Sequence, residues 1–522
     1  MFNLNNSPKK LSKQLPRNIF ANFGYFGLSI VIGIFLVPYF VDTLGVSGYA
    51  IIPLATSITG YVGLVSQSLQ SSVSRYITID IQKEDYLTAR KTFNTALFGT
   101  LGLCVLLLPL VFVISFYAPD YFSIPDEQKK DATILFIGVI SAFLLRAWGS
   151  NFGVALFAHN RLDLQNTINS IDILVRLFFI LILFFIFTPR LSYVGIAHFL
   201  GALAGLLLSI LFSQKIDSNL VVSIKDFQIS RLKSITDTGG WITINQIGSL
   251  LFLQIELILV NKLFGTATGG EYALIIVWSS LIRRIAGLFA GVLTPVILSY
   301  YSKNMFEEIL TITKSAVKIM GILIALPIGL MCGFSPLLLS LWVGPEFARL
   351  WPLMVLQLVH LVINLSVLPL FSINVAFNKI KIPGLVTFLM GIGNLVLSLV
   401  LSLFTGWGYY AVAIAGAIML TAKNSLFTSL YASRVLNVYQ FTFIKSLISG
   451  MLSVLIVSGI AGFINYYTNV STLSGFIAWC TLISVVYIVF SWIFSLTKYE
   501  RMIIHSFIPL NVRRWLKIDD YC

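Results

Sequence analysis

The sequence predicts an all-α integral membrane protein of about fourteen transmembrane helices, built as two six-helix lobes around a central cavity with two further helices at the C-terminal end. Three observations carry that prediction. Of the 522 residues, 57% are hydrophobic and only 11% are charged, whereas a soluble chain holds about a quarter charged residues. The apolar residues are gathered into runs long enough to cross hydrocarbon, which takes about 20 residues as a helix. The lysines and arginines fall unevenly on alternate connections, as oriented membrane insertion requires.

In chain order the runs cover 18–41, 47–74, 92–116, 132–158, 164–187, 192–213, 238–261, 272–299, 309–333, 350–377, 384–404, 408–433, 446–466 and 473–496. The first follows Lys9, Lys10, Lys13 and Arg17, which is how a secretory leader begins, but the run is too long and has no small-residue cleavage site. It is read as the first transmembrane helix. The longest polar connection, 214–237, is read as a linker. The chain then divides into an N-lobe (1–213), a cytoplasmic linker (214–237), a C-lobe (238–433), and a final segment (434–522) holding the last two helices and a basic tail.

Lysine and arginine total 35 against 21 acidic residues, a net charge of +14. With the N-terminus inside, 24 of the 35 fall on cytoplasmic segments and five (Lys129, Lys130, Arg190, Lys262, Arg349) on the opposite side. This asymmetry predicts that both termini are cytoplasmic, and it accounts for most of the positive charge without a nucleic-acid partner. Cys104, Cys332, Cys480 and Cys522 have neither disulfide nor metal-ligand spacing. No nucleophile-and-base signature, phosphate-binding glycine loop or large loop outside the membrane is present, so an enzyme, a cofactor and a metal centre are not expected.

With Lys314, at the start of its run, counted among the cytoplasmic cations, six remain deeper in the apolar runs: Arg146, Arg176, Arg283, Arg284, Lys318 and Lys423, opposed there only by Asp172 and Glu256. Each cation at mid-membrane costs about 2.5–3.5 kcal/mol, so six without partners would cost roughly 15–20 kcal/mol. The chain is therefore expected to enclose a hydrated, positively biased cavity. Polar stripes at helical spacing mark the walls: Asn18, Asn22, Tyr25 and Ser29 on the first run; Thr56, Gly60, Gly63, Gln67, Gln70 and Ser74 on the second; Gln165, Asn169, Asp172 and Arg176 on the fifth; Asn245, Ser249 and Glu256 on the seventh. Close helix packing explains stripes of Ser, Thr and Gly equally well.

Asp172 and Arg176 have the i, i+4 spacing of an intrahelical charge pair, and Arg146 at similar depth is expected either to stand apart or to join them. Arg283 and Arg284 point about 100° apart around their helix, so one faces a ligand squarely while the other meets Glu256 or a carbonyl. Guanidinium matches phosphate oxygens in a bidentate way and stays protonated when desolvated. Arg283, Arg284 and Arg146 are accordingly the candidate anion ligands. Asn18, Asn22, Gln67 and Asn245 are the candidates for neutral polar contacts, and Glu256, Asp172, Arg176 and Lys423 for coupling or charge pairing. Lys318 is expected to snorkel to the interface, and His360 to be a hydrogen-bonded packing residue.

Two segments recur. Asn160-Arg161 after the fourth run matches Asn378-Lys379 after the tenth. Leu44-Gly45 to Tyr49-Ala50 after the first likewise matches Phe264-Gly265 to Tyr272-Ala273 after the seventh. Six helices separate each pair, so the repeats run in the same direction.

These motifs resemble a known family. Asn18, Asn22 and Gly24 through Pro38 to Leu44-Gly45 and Gly48-Tyr49, then Ser74-Arg75, Asn160-Arg161, and Ser335-Pro336-Leu337 to Leu341-Trp342-Val343-Gly344 look like the polysaccharide transporters that include Wzx-type O-antigen flippases. That family shares a superfamily with multidrug and toxin extrusion antiporters and lipid II flippases. The resemblance implies flipping of an undecaprenyl-diphosphate-linked oligosaccharide repeat unit across a bacterial cytoplasmic membrane, by alternating access, for O-antigen (lipopolysaccharide) or other surface polysaccharide. In that reading the arginines hold the diphosphate and the Asn and Gln stripes meet sugar hydroxyls. It also implies proton or sodium coupling, contact with membrane lipids, and polysaccharide polymerase and chain-length machinery as partners. Fourteen runs exceed the twelve of many Wzx-type members, and Asn18 and Asn22 stand where lipid II flippases carry cations. The rival readings are a cation-coupled multidrug antiporter of the same superfamily, which the basic bias disfavours, and a non-transporting component of an envelope assembly complex.

Overall fold

Gly45 and Gly265 turn the corners of the two longest helices. In the computed structural model, which describes residues 8–232, 246–252, 254–468 and 470–507, Gly45 lies at φ 73°, ψ 167° inside a helix spanning Pro8–Gln82, and Gly265 at φ 85°, ψ 169° inside one spanning Ile255–Ser302. That backbone region is essentially reserved for glycine. Each long helix is thus two helices joined at a single residue.

The helices are α1 (Pro8–Gln82), α2 (Tyr86–Tyr121), α3 (Asp126–Ala158), α4 (Leu162–Ile186), α5 (Leu191–Ile216), α6 (Ile255–Ser302, with 246–252 helical before it), α7 (Phe306–Gly333) and α8 (Ser335–Val343). Then follow α9 (Trp351–Val359), α10 (Leu361–Ser366), α11 (Phe371–Ala376), α12 (Lys381–Phe404), α13 (Tyr410–Thr421), α14 (Ser429–Val435), α15 (Thr442–Thr468), α16 (Leu473–Phe490) and α17 (Lys498–Phe507). Among the described residues, twelve helical stretches are long and apolar enough to cross a membrane. Divided at Gly45, α1 supplies the first two apolar runs, while the seventh run, 238–261, lies in part outside the described residues.

By contacts the chain forms two units, Met1–Ala273 and Leu274–Cys522. In the first, α3 lies against α5 because neither presents a side chain at the crossing: a Cβ on Gly195 would stand 2.7 Å from Leu135 Cα, and one on Gly138 would collide with the Gly195 carbonyl oxygen. The connection after α5 is stapled along α2. Asn94 donates to the Val221 carbonyl (2.9 Å) and accepts from the Ser223 amide (2.8 Å), Arg90 pairs with Asp226 (2.6 Å), and Arg231 donates to the Thr92 hydroxyl (2.6 Å).

In the second unit, α7 and α15 meet through Gly321 and Gly450, where a Cβ on Gly450 would stand 3.0 Å from Gly321 Cα, and through Gly329 against Val457. The Tyr487 hydroxyl on α16 donates to the Ile322 carbonyl (2.8 Å), and Phe334, Val457, Ala461 and Ile483 form one buried cluster. Helices α15 and α16 are therefore packed into this unit. Apolar residues such as Leu482, Val486 and Phe494 are exposed on the other side, as lipid-facing positions are.

The two sequence repeats have matching backbones. Asn160 (φ 55°) and Asn378 (φ 53°) end their helices in the left-handed region, each followed by a closing bond of 2.7 Å, Arg161 amide to Leu156 carbonyl and Lys379 amide to Asn374 carbonyl. Glu84 (φ 61°) and Asn304 (φ 57°) do the same, with Asp85 amide to Asp80 carbonyl and Met305 amide to Tyr300 carbonyl both at 3.0 Å.

Candidate functional site

In the first unit the ionised groups meet where three helices converge. Gly201 and Gly205, one turn apart on α5, let α4 approach: a Cβ on Gly201 would stand 2.7 Å from the Asp172 carbonyl oxygen and 2.9 Å from its Oδ1. With α3 held equally close to α5, the Asp172 carboxylate lies opposite Arg146. Arg146 donates from Nε to Oδ2 at 2.6 Å and from Nη2 to Oδ1 at 2.9 Å, with a longer contact to the His198 carbonyl at 3.4 Å. Only 13% of the Asp172 side chain is accessible.

Of the two expectations for Arg146, joining the Asp172–Arg176 group is the one the geometry meets: its planar fork on the neighbouring helix takes both carboxylate oxygens. Arg176 is half-buried within electrostatic reach of Arg146, Asp172 and Tyr25 of α1. Two guanidiniums and one carboxylate leave this cluster with a charge of +1.

The polar stripe at the start of α1 splits between two environments. Asn18 is buried and fastens α1 to the turn between α3 and α4: its amide donates to the Asn160 carbonyl (3.0 Å) and side chain (3.2 Å), and its Oδ1 accepts from the Asp163 amide (3.0 Å) and from Gln14 (2.9 Å). Asp163 in turn holds Arg161 (3.0 Å) and Arg17 (3.1 Å). The Asn18 amide is thus engaged by the protein, whereas Asn22, one turn on, is exposed. Asn245 and the side chain of Gln67 lie outside the described residues.

Glu256 is buried and accepts a hydrogen bond of 2.7 Å from the hydroxyl of the fully buried Tyr272. Residues 264–273 fold back to make that contact possible. Gly270 comes so close to the Val46 carbonyl that a Cβ there would collide with it, which locks the corner after Gly265 against the corner after Gly45.

In the second unit Arg283 is half-buried and within electrostatic reach of His360, while Arg284 is exposed. Lys423 sits on a π-helical turn, Ala422–Thr428, with its ammonium 4.7 Å from the Phe371 ring centroid. A π-turn inserts one residue into a helix and re-aims those beside it, a device common at functional sites. Here it carries Asn424 and Ser425 onto α10, where Asn424 donates to the Asn364 carbonyl (2.9 Å) and Ser425 to its Oδ1 (2.7 Å). The Asn364 amide reaches Thr421 (2.9 Å) and His360 Nδ1 (3.0 Å), the packing role expected of that histidine. Thr294 and Ser372 share a hydrogen bond of 2.7 Å beside this seam.

Sequence reasoning did not find this seam, Tyr272 as the partner of Glu256, or Gly201 and Gly205 as the reason Asp172 meets Arg146. The glycine pair was detectable as a small-xxx-small spacing. The π-turn leaves no such mark. Among the described residues, no three His, Cys, Asp or Glu side chains come together to hold a metal ion.

Comparison with known proteins fits this arrangement. A family model described as polysaccharide biosynthesis protein matches residues 15–301. The uncharacterized membrane protein EpsK of Bacillus subtilis (strain 168) is 31% identical over 488 residues, covering 93% of this chain and 96% of that one. Among solved structures, the lipid II flippase MurJ in an inward closed conformation aligns at TM-score 0.61 and 17% identity, over 91% of this chain and 98% of the other. An inward-facing multidrug resistance MATE family transporter of the MOP superfamily aligns at 0.60 and 16%, over 84% and 94%. The fold is that of these transporters. The chain belongs to the polysaccharide biosynthesis protein family and is a multi-pass membrane protein.

Proposed function

We propose that this protein is a transporter that flips an oligosaccharide carried on a polyprenyl diphosphate from the cytoplasmic to the outer leaflet of a bacterial membrane, for assembly of a surface polysaccharide. The observation that carries the reading is the Arg146–Asp172–Arg176 cluster, in which one carboxylate, paired with Arg146, stands among two guanidiniums, a group that stays protonated when desolvated, for a charge of +1. A diphosphate is the group a desolvated guanidinium binds best. A drug antiporter taking cations would need the opposite sign.

In this reading Arg176 attracts the diphosphate, and Arg283 and Arg284 are the candidate anion ligands of the second unit. The exposed Asn22 meets sugar hydroxyls, and Asn18 is kept out of that role because the α3–α4 turn holds it. The polyprenyl tail stays in lipid, and rocking of the two halves presents the headgroup to each side in turn. Glu256, held by Tyr272, is the carboxylate we assign to proton or sodium coupling. Both termini lie in the cytoplasm on the strength of the lysine and arginine asymmetry.

The test is surface polysaccharide display, at matched protein level, in cells carrying Arg176→Ala or the double substitution Arg283→Ala/Arg284→Ala. A loss of tenfold or more with precursor accumulating in the inner leaflet is expected. Unchanged display in both would remove the anion site from the mechanism.

A further inference from the structure

A second cationic site lies at the ends of α7 and α15, beside the start of α17. Thr311, Lys314, Ser315 and Lys318 share one face of α7 by their i, i+3, i+4, i+7 spacing, and Thr442, Lys445 and Ser446 share one face of α15. These stripes line the same pocket, one turn outside the Gly321–Gly450 contact that brings the two helices together. The pocket has a volume of about 580 Å³ and is closed on its third side by Thr497, Tyr499 and Glu500.

Glu500 sets the pocket's charge. It closes a reciprocal cap at the start of α17, accepting from the Thr497 amide (2.8 Å) while its own amide donates to the Thr497 hydroxyl (3.3 Å). The same carboxylate oxygen accepts from Lys318 at 2.8 Å, and the Glu500 side chain is only 7% accessible. One lysine is therefore spent on holding α17 in place. Lys314 and Lys445 stay exposed at the rim, and the pocket keeps a charge of +2.

The rest of the lining is hydroxyl, from Thr311, Ser315, Ser446 and Tyr499. Ammonium and hydroxyl donors around one space suit a phosphate, which offers several acceptor oxygens to point charges. Position decides its source. The pocket sits where three membrane-spanning stretches, Phe306–Gly333, Thr442–Thr468 and Leu473–Ser495, begin or end, which is headgroup depth. Exposed Phe306, Phe441, Ile448 and Phe494 lie on those same helix ends or beside them and offer apolar surface to acyl chains. Basic pockets between helix ends are a recurrent mode of anionic-lipid binding.

We infer that this pocket holds the phosphate of an anionic membrane-lipid headgroup, separate from the transported substrate. The experiment uses the full chain in nanodiscs of phosphatidylglycerol and phosphatidylcholine, with bound lipid counted by native mass spectrometry after release into neutral detergent. Lys314→Gln/Lys445→Gln should lose phosphatidylglycerol retention at least fivefold, and Lys314→Arg/Lys445→Arg should keep it. Melting temperatures in neutral detergent without lipid should be the same for all three proteins, which separates a lost ligand from a lost fold. Equal phosphatidylglycerol retention by the glutamine variant overturns the site. Protection from thermal unfolding by millimolar inorganic phosphate, with no preference for phosphatidylglycerol over phosphatidylcholine, overturns the lipid assignment.

Discussion

Arg146 on α3 grips both carboxylate oxygens of Asp172 on α4, at 2.6 and 2.9 Å. Breaking a buried ion pair from one side strands a charge in a low-dielectric site, and the loss exceeds what the pair contributes when intact. About a third of the Arg146 side chain is accessible, so the expected cost of Arg146→Ala or Asp172→Ala is about 2–3 kcal/mol, at or below the bottom of the range for fully buried pairs. Arg146→Met/Asp172→Leu should recover most of it. Thermal unfolding of the wild type, Arg146→Met, Asp172→Leu and the double variant in one detergent checks this as a double-mutant cycle, and additive losses would contradict it.

The same pair depends on Gly201. A side chain there meets the Asp172 backbone oxygen at 2.7 Å, and backbone does not yield as a rotamer does. Gly201→Val should therefore push α4 off α5 and destabilise by about 1–3 kcal/mol. Gly205→Ala, whose Cβ would rest at an ordinary 3.6 Å from Asp172, should be close to neutral. Melting temperatures of the two variants decide it, since a model of general small-residue packing predicts similar losses at both positions.

How far the sequence could be read follows from which forces act locally. Apolar run length fixes the helices, so α2 to α5 lie where composition put them, and Gly45 and Gly265 announce their corners because few other residues tolerate that backbone. Partner choice is not local. Asp172 was legible as a charged residue needing a partner, but whether Arg176 on its own helix or Arg146 on the next satisfies it depends on how closely α3, α4 and α5 approach. Asn18 shows the same limit: its polarity and depth were plain, yet the Asn160–Asp163 turn that saturates it is 142 residues away. Lys423 owes its place over Phe371 to a π-turn that periodicity assigns as ordinary helix.

Tyr272 donates to Glu256 from within one corner of α6, and both groups are buried. Leaving a buried acceptor without its donor costs about 1–3 kcal/mol, and Tyr272→Phe should destabilise by that amount with little change in packed volume. Glu256→Gln keeps an acceptor for the hydroxyl and should be milder in stability. If Glu256 couples transport to an ion, Glu256→Gln should lower polysaccharide display more than Tyr272→Phe does, at equal protein level. Equal display in the two would leave Glu256 a purely structural acceptor.

Gly45 and Gly265 offer the cleanest separation of backbone strain from packing. A Cβ added at either would find no heavy atom within 4 Å, so space does not forbid a side chain. The torsions do, because φ near +80° with ψ near 170° brings the Cβ of an L-residue against its own backbone. Gly45→Ala and Gly265→Ala should each cost about 1–3 kcal/mol, by similar amounts, and the double variant should cost the sum unless the two corners yield together. They touch through Gly270 and Val46, which makes such coupling physically available. Amide hydrogen exchange across 40–50 and 260–273 is the measurement. Faster exchange in both segments on substituting either glycine would show the corners acting as one joint, and acceleration confined to the substituted segment would show two independent bends.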